Sequence, residues 1–180
     1  QAAKKEANSL AELAVEDTGM GVVKDKTSKN LLASAELWDY IKDMKTVGVI
    51  NKDTERKITE IASPMGVISA LVPTTNPTST VIYKTLIAIK SANAIVFSPH
   101  PSAVDSITKT VEILKNKLKE LGEPEALVDC LDLVSLEGTD ELMTHDDVSL
   151  ILATGGSAMV SAAYSSGTPA LGVGPGNVRV

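Results

Sequence analysis

The 180-residue sequence predicts an α/β protein, with a doubly wound, mostly parallel sheet preceded by two helices and a β-hairpin. From residue 65 onward, short apolar runs alternate with segments of helical periodicity, a pattern typical of βαβ units. The runs are almost continuously apolar, as expected for parallel strands that are covered on both faces. These two observations predict a Rossmann-like sheet in the second part of the chain.

The first part of the chain has a different pattern. Residues 2–18 and 27–44 place apolar side chains at helical spacing, which predicts two amphipathic helices. The buried stripe of the second helix is expected to contain Leu31, Ala35, Trp38 and Ile41. After it, "TVGVI" and "KITEIAS" flank the polar stretch "NKDTER" and predict a β-hairpin that Pro64 closes. We therefore divide the chain into residues 1–64 and residues 65–180.

Within the α/β unit, ligands are expected outside the carboxyl ends of the strands. Those ends are followed by the segments "PTTNPTS", "SPHPSA", "TGGSAM" and "GPGNV". The predicted strands are 66–72, 94–98, 127–134, 148–154 and 169–174, and the predicted helices are 77–91, 102–121, 138–144 and 156–166.

The composition argues against several classes of function. A net charge of −6 and an aromatic content of 3% argue against nucleic-acid binding, which uses positive charge and stacking rings. No apolar stretch reaches the roughly 18 residues of a membrane span. The single cysteine, Cys130, excludes an internal disulfide and a cysteine-based zinc cluster. We expect a reducing, cytoplasmic compartment and no membrane partner.

The first strand end, "PTTNPTS", offers hydrogen-bond donors. Pro77 suits the first position of a helix and Asn76 its N-cap. The free N–H groups of such a helix start can bind a negative group, and the Asn76 amide can donate to a developing oxyanion. The alternative is a plain helix cap without a ligand.

The segment "TGGSAM" follows an apolar strand and opens a helix of small residues. Gly155 and Gly156 would let a phosphate approach the backbone, and Ser157 would add a hydroxyl. The spacing is not G-x-G-x-x-G, so the usual dinucleotide fingerprint is missing. A tight turn that requires glycine for its backbone angles is the alternative.

Three further features have structural alternatives. "SPHPSA" lacks the acid that commonly binds the ribose, so it is either a rigid loop against an adenosine or a plain proline-rich turn. His145, beside two aspartates, is expected in a solvated connection and not at a metal, because no second histidine is near. Cys130 lies within a predicted strand and is expected to be a structural thiol. We predict no metal site.

Two long stretches carry a family resemblance. "SPMGVISALVPTTNPTSTVIYKTLIAIKSANAIVFSPHPSA" and "LILATGGSAMVSAAYSSGTPALGVGPGNV" closely resemble the coenzyme A-acylating aldehyde dehydrogenases, including the aldehyde-oxidising part of the bifunctional aldehyde–alcohol dehydrogenases and the ethanolamine- and propanediol-utilisation enzymes. With "VEDTGMGVVKDKTSKN" the likeness covers nearly the whole chain. It implies that residues 1–64 hold an oligomerisation-type hairpin and residues 65–180 an incomplete nucleotide-binding domain.

The resemblance also implies a reaction. A cysteine thiolate attacks an aldehyde, hydride passes to NAD, and coenzyme A takes the acyl group. NADP is not excluded, because the ribose-binding acid is missing. A homo-oligomer is implied, in the cytoplasm or inside a bacterial microcompartment.

By position, the resemblance assigns Asn76 as the oxyanion donor. The cofactor-binding positions that it implies are Pro73, Thr74 and Thr75 on the nicotinamide side, Ser98, Pro99, His100 and Pro101 on the adenosine side, Gly155, Gly156 and Ser157 beneath the pyrophosphate, and Gly174 and Gly176 of the last turn.

One departure from the wider aldehyde dehydrogenase pattern bears on the chemistry. Val173 stands where hydrolytic relatives carry the glutamate that activates water, which favours acyl transfer to a thiol over hydrolysis. The catalytic cysteine of the family is expected after Val180, and Cys130 does not match it. A non-catalytic nucleotide-binding or assembly module is therefore the alternative for this chain.

Overall fold

The computed structural model describes residues 1–174. After an initial helical segment and a β-hairpin, strands and helices alternate. The helices are α1 Ala2–Lys5, α2 Ala7–Thr18, α3 Val23–Leu31, α4 Leu37–Ile41, α5 Pro77–Lys90, α6 Val104–Glu120, α7 Leu136–Thr144 and α8 Ser157–Ser165. The strands are β1 Gly48–Asp53, β2 Ile58–Ala62, β3 Val67–Leu71, β4 Ala94–Ser98, β5 Val128–Cys130, β6 Val148–Thr154 and β7 Ala170–Val173.

The five strands after the hairpin form one parallel sheet, in the order β5-β4-β3-β6-β7. The order corresponds to the 3-2-1-4-5 arrangement of doubly wound dinucleotide-binding folds. In such folds the chain first adds strands toward one edge of the sheet and then crosses back to add strands toward the other edge, so that the order reverses between two central strands. Here those strands are β3 and β6. The predicted fold class is confirmed.

Helices cover both faces of the sheet because its strands are apolar on both sides. On one face, α5 and α6 pack against a cluster that includes Ile68, Phe97 and Ile107. On the other, α7 and α8 pack against a cluster that includes Leu71 and Ile151. β3 supplies both clusters, which makes it the centre of the core.

The predicted buried stripe of the second helix is partly wrong. The helix is interrupted by a π-helical turn at Leu32–Glu36, and Trp38 beyond it is 44% exposed, although Ile41 is buried. The buried side of α3 contains Lys26 and Asn30 instead. Both polar side chains are buried because backbone groups elsewhere in the fold accept their hydrogen bonds.

The amino-terminal helix α2 contacts the α/β unit at the start of α6. Asp17, at the end of α2, accepts hydrogen bonds from both the backbone N–H and the hydroxyl of Ser106 at 2.8 Å. Ser106 lies in the first turn of α6, where N–H groups lack partners within the helix. A carboxylate at this end is also favoured by the helix dipole. The division of the chain at residue 64 stays a prediction.

The predicted hairpin is confirmed as the antiparallel pair β1–β2. Most of its side chains are exposed, including Ile58 and Ile61. Its base is tied to α5, since Thr46 donates to the Lys90 carbonyl at 2.6 Å. Over residues 1–174, none of the helices combines the length and apolar character needed to cross a bilayer.

Candidate functional site

A cleft of about 570 Å³ opens at the carboxyl edge of the sheet. It extends over the ends of β3 and β6, where doubly wound sheets bind their ligands. Ten of the predicted cofactor-binding residues line it: Pro73, Thr74, Thr75, Ser98, Pro99, His100, Pro101, Gly155, Gly156 and Gly174. Asn76 and Ser157 adjoin it in sequence without lining it, and Gly176 lies outside the described residues.

The described lining of the cleft contains no Asp, Glu, Lys or Arg. Its polar groups are hydroxyls, backbone groups and the imidazole of His100. The Nδ1 atom of His100 accepts a hydrogen bond from the Ser102 N–H at 3.1 Å, so a neutral imidazole would carry its proton on Nε2. Ser98 and Thr139 share a hydrogen bond of 2.7 Å between their hydroxyls and join β4 to α7.

The glycine pair lies where β6 passes into α8. Neither Gly155 nor Gly156 has a positive φ, so a turn that requires glycine does not explain them. A Cβ atom built on Gly156 would meet no heavy atom of the described chain within 4 Å. The space in front of this helix start is therefore open, and its first-turn N–H groups suit a phosphate.

The Thr75–Asn76 turn is held by two lysines of α3. Lys26 Nζ donates to the Thr75 carbonyl at 2.9 Å, and Lys29 Nζ donates to Asn76 Oδ1 at 2.9 Å. Burial lowers the pKa of Lys26, and the neighbouring charge of Lys29 lowers it further. Asn76 occupies the N-cap position of α5, but its side chain makes no capping hydrogen bond. The simple interpretation as a side-chain cap is therefore wrong.

A third lysine lies beneath the cleft. Lys84 of α5 is 1% exposed, and its Nζ donates to the carbonyls of Leu71 at 2.8 Å and Leu152 at 2.7 Å. These carbonyls belong to the adjacent strands β3 and β6, just before the turns that line the cleft. Burial lowers the pKa of Lys84 to about 7.

Cys130 lies at the end of β5 and is half-buried against the core. Burial raises the pKa of its thiol to about 12, and the carboxylates of Asp129 and Asp132 add to that rise. A thiol in this state is a poor nucleophile at neutral pH, since the thiolate is the reactive form. The geometry agrees with a structural thiol.

His145 lies at the connection between α7 and β6, away from the residues that line the cleft. Its Nδ1 accepts a hydrogen bond from the Asp147 N–H at 3.2 Å, and the side chain is 55% exposed. Across residues 1–174, no three His, Cys, Asp or Glu side chains are grouped so that they could hold a metal ion.

The three lysines and the far wall of the cleft were not predicted from the sequence. Helix α7 and the segment before it supply that wall. That wall includes Val134, Leu136 and Thr139. Only Lys26 had a related pattern: in α3, Lys26 and Asn30 are four residues apart, and thus share a helix face. Only the folded structure shows that this face is buried.

Comparison with known proteins identifies the family. The model of the aldehyde dehydrogenase family matches residues 1–171. The chain belongs to the aldehyde dehydrogenase family. It is 50% identical over 171 residues to the bifunctional aldehyde-alcohol dehydrogenase AdhE of Escherichia coli K12, which is 95% of this chain and 19% of that protein.

Solved structures of acylating aldehyde dehydrogenases have the same fold. An acetylating aldehyde dehydrogenase from Geobacillus thermoglucosidasius is 52% identical, with a TM-score of 0.95 over 98% of this chain and 39% of that one. A Rhodopseudomonas palustris propionaldehyde dehydrogenase with bound propionyl-CoA is 34% identical, with a TM-score of 0.83 over 98% of this chain and 40% of that one. The chain thus spans one fifth to two fifths of the length of these relatives.

Proposed function

We propose that the complete protein containing this chain is a CoA-acylating aldehyde dehydrogenase. It would interconvert a short-chain aldehyde, coenzyme A and NAD(P)⁺ with acyl-CoA and NAD(P)H. The observation that carries this proposal is the uncharged cleft at the reversal point of the sheet, where Val173 is part of the lining. The propionyl-CoA bound to the propionaldehyde dehydrogenase supports coenzyme A as the acceptor of the acyl group.

The residues of the cleft fit a dinucleotide. The open space before Gly156 and the N–H groups at the start of α8 would receive the pyrophosphate. The loop from Ser98 to Pro101 would contact the adenosine, and the loop from Pro73 to Thr75 the nicotinamide. When bound, the nucleotide would accept a hydride from the carbon that is oxidised. NAD is the expected cofactor. NADP stays an alternative, because the described lining has no carboxylate to repel a 2′-phosphate.

The chain's own contribution to the chemistry would be electrostatic. When a thiolate adds to the aldehyde, the carbonyl oxygen becomes negative, and the Nδ2–H of Asn76 would donate to it. We place the nucleophilic cysteine outside these 180 residues, since the raised pKa of Cys130 makes that thiol unsuitable. The thioester that follows hydride loss would then be attacked by the thiol of coenzyme A.

Acyl transfer is favoured over hydrolysis because water lacks an activating base here. Val173 is 66% exposed at the edge of the cleft, and the described lining has no carboxylate. A thiol ionises far more readily than water and needs less help from a base.

The test is NADH formation by the complete protein with acetaldehyde, in the presence and absence of coenzyme A. We expect rapid NADH formation only when both substrates are present. Comparable rates without coenzyme A would refute acyl transfer. Nucleotide binding without turnover under any of these conditions would favour the alternative, a non-catalytic module.

We further propose that the complete protein is a homo-oligomer that uses the β1–β2 hairpin. The exposed apolar side chains of Val49, Ile58 and Ile61 support this role. Light scattering after size exclusion should show a smaller species for Ile61→Lys than for the unmodified protein. An unchanged mass would contradict the role of the hairpin.

Location in the cytoplasm or in a microcompartment stays a prediction.

A further inference from the structure

The Asn76 carboxamide has a defined orientation. Lys29 Nζ lies 2.9 Å from Asn76 Oδ1, and an ammonium group can only donate hydrogen bonds. The carboxamide oxygen therefore faces Lys29, and the NH₂ group points away from Lys29. Within residues 1–174, the hydrogen bond of that NH₂ group is a long one of 3.5 Å to the Thr75 hydroxyl. At least one N–H of Asn76 is thus available to a ligand.

Helix α3 fixes the backbone of the same turn. Lys26, one helical turn before Lys29, donates to the Thr75 carbonyl at 2.9 Å and is 5% exposed. A main-chain contact and a side-chain contact from one helix therefore hold two consecutive residues. Neither contact involves the core of the sheet, so they are directed at the turn itself.

We propose that Lys29 is a positioning residue for the reaction, which orients the Asn76 carboxamide so that its N–H donates to the oxyanion. This inference rests on the proposed function of Asn76. The terminal torsion of asparagine has a broad, roughly two-fold energy profile, so a free carboxamide can also present its oxygen to the substrate. Such an orientation would repel the oxyanion. A cation on Oδ1 excludes it and also polarises the amide, which strengthens the N–H donor.

The chain offers a matched control in Lys24. It lies on the same helix and is exposed, and its side chain makes no hydrogen bond or ion pair within the described residues. Replacing Lys24 or Lys29 by Met changes the net charge by the same amount. A difference between the two variants therefore reports the contact with Asn76.

The experiment is a double-mutant cycle on kcat in the complete protein, measured as NADH formation at saturating acetaldehyde, coenzyme A and NAD. We expect Lys29→Met to lower kcat about tenfold, since a misdirected catalytic group costs up to about 100-fold. Lys24→Met should stay within about twofold, and Lys29→Arg, which keeps a cationic donor, should recover most of the loss. In an Asn76→Ala background, Lys29→Met should change kcat by less than about twofold.

Two results would overturn the inference while leaving the role of Asn76 intact. One is a kcat for Lys29→Met equal to that for Lys24→Met. The other is an equal loss with and without Asn76, which would mean that Lys29 acts by another route. A loss below about threefold for Asn76→Ala itself would instead refute the proposed oxyanion donor, and the inference with it. Thermal midpoints of all variants show whether a loss arises from unfolding.

Discussion

Replacing Lys84 by Met should change how the stability of the protein depends on pH. In the native state, burial lowers the pKa of Lys84 to about 7, against 10.5 in an exposed lysine. Below pH 7, the native and unfolded states both hold the proton. Between pH 7 and 10.5, the unfolded chain binds more protons than the native one, so the free energy of unfolding rises with pH. Methionine has a similar length but does not titrate.

The size of the effect follows from the pKa shift. One pKa unit corresponds to about 1.4 kcal/mol, so the stability advantage of the unmodified protein over the methionine variant should grow by about 2 kcal/mol between about pH 7 and pH 9. The neutral amine still has two N–H groups for the carbonyls of Leu71 and Leu152. In the variant both carbonyls lose this donor, which costs about 1–3 kcal/mol at the buried carbonyl of Leu71 and less at the partly buried carbonyl of Leu152.

Urea unfolding of the complete protein and of Lys84→Met at pH 7, 8 and 9 measures this difference. Taking the difference at each pH cancels the titration of groups that the two proteins share. Thr85→Val is the matched control: its buried hydroxyl lies on the same helix, and neither side chain titrates, so its difference from the unmodified protein should not change with pH. A Lys84→Met difference that is constant from pH 7 to 9 would show that Lys84 does not have the lowered pKa.

Two further predictions concern the cleft, and a third concerns Cys130 of β5. Val173→Glu should place a carboxylate in the lining and raise NADH formation without coenzyme A at least about tenfold; no rise would mean that a missing base is not what suppresses hydrolysis. Gly156→Ala should leave the thermal midpoint within about 2 °C, because the new Cβ meets no described atom. The same Cβ should raise the Kd for NADH about tenfold, because it occupies the space proposed for the pyrophosphate. An unchanged Kd would argue against that placement. Cys130→Ala should retain kcat within about twofold, and loss of turnover in a folded variant would contradict its structural role.

The α/β part of the fold could be predicted closely from the sequence. Strand β6 has the predicted bounds, and the loops that were predicted to bind a cofactor line one cleft, because parallel strands end at a common edge. Strand β5 was predicted too long. Its ladder continues for one hydrogen bond beyond Cys130, from the Leu131 N–H to the Phe97 carbonyl, and then the chain turns away and leaves Leu133 78% exposed. Leu131 and Leu133 continue the alternation of apolar and polar residues past the end of the strand, so the sequence pattern did not indicate the turn.

The lysines of the site could not be predicted in the same way. A lysine in an amphipathic helix normally indicates a solvated face. Whether it is buried depends on acceptors that lie far away in sequence: Thr75 is 49 residues from Lys26, and Leu152 is 68 residues from Lys84. These acceptors are backbone carbonyls, which every residue has, so no sequence pattern marks them. Only the packing of α3 and α5 against the strand ends selects them.

The hydrogen bonds from Ser106 to Asp17 have a consequence for protein engineering. Chimeras between related enzymes are commonly joined at a domain boundary, and residue 64 would be the obvious crossover point. Here the amino-terminal parent would supply the carboxylate and the other parent the helix start that depends on it. A recombined protein should therefore keep both partners from compatible parents, or it would carry a frayed helix next to the loop from Ser98 to Pro101.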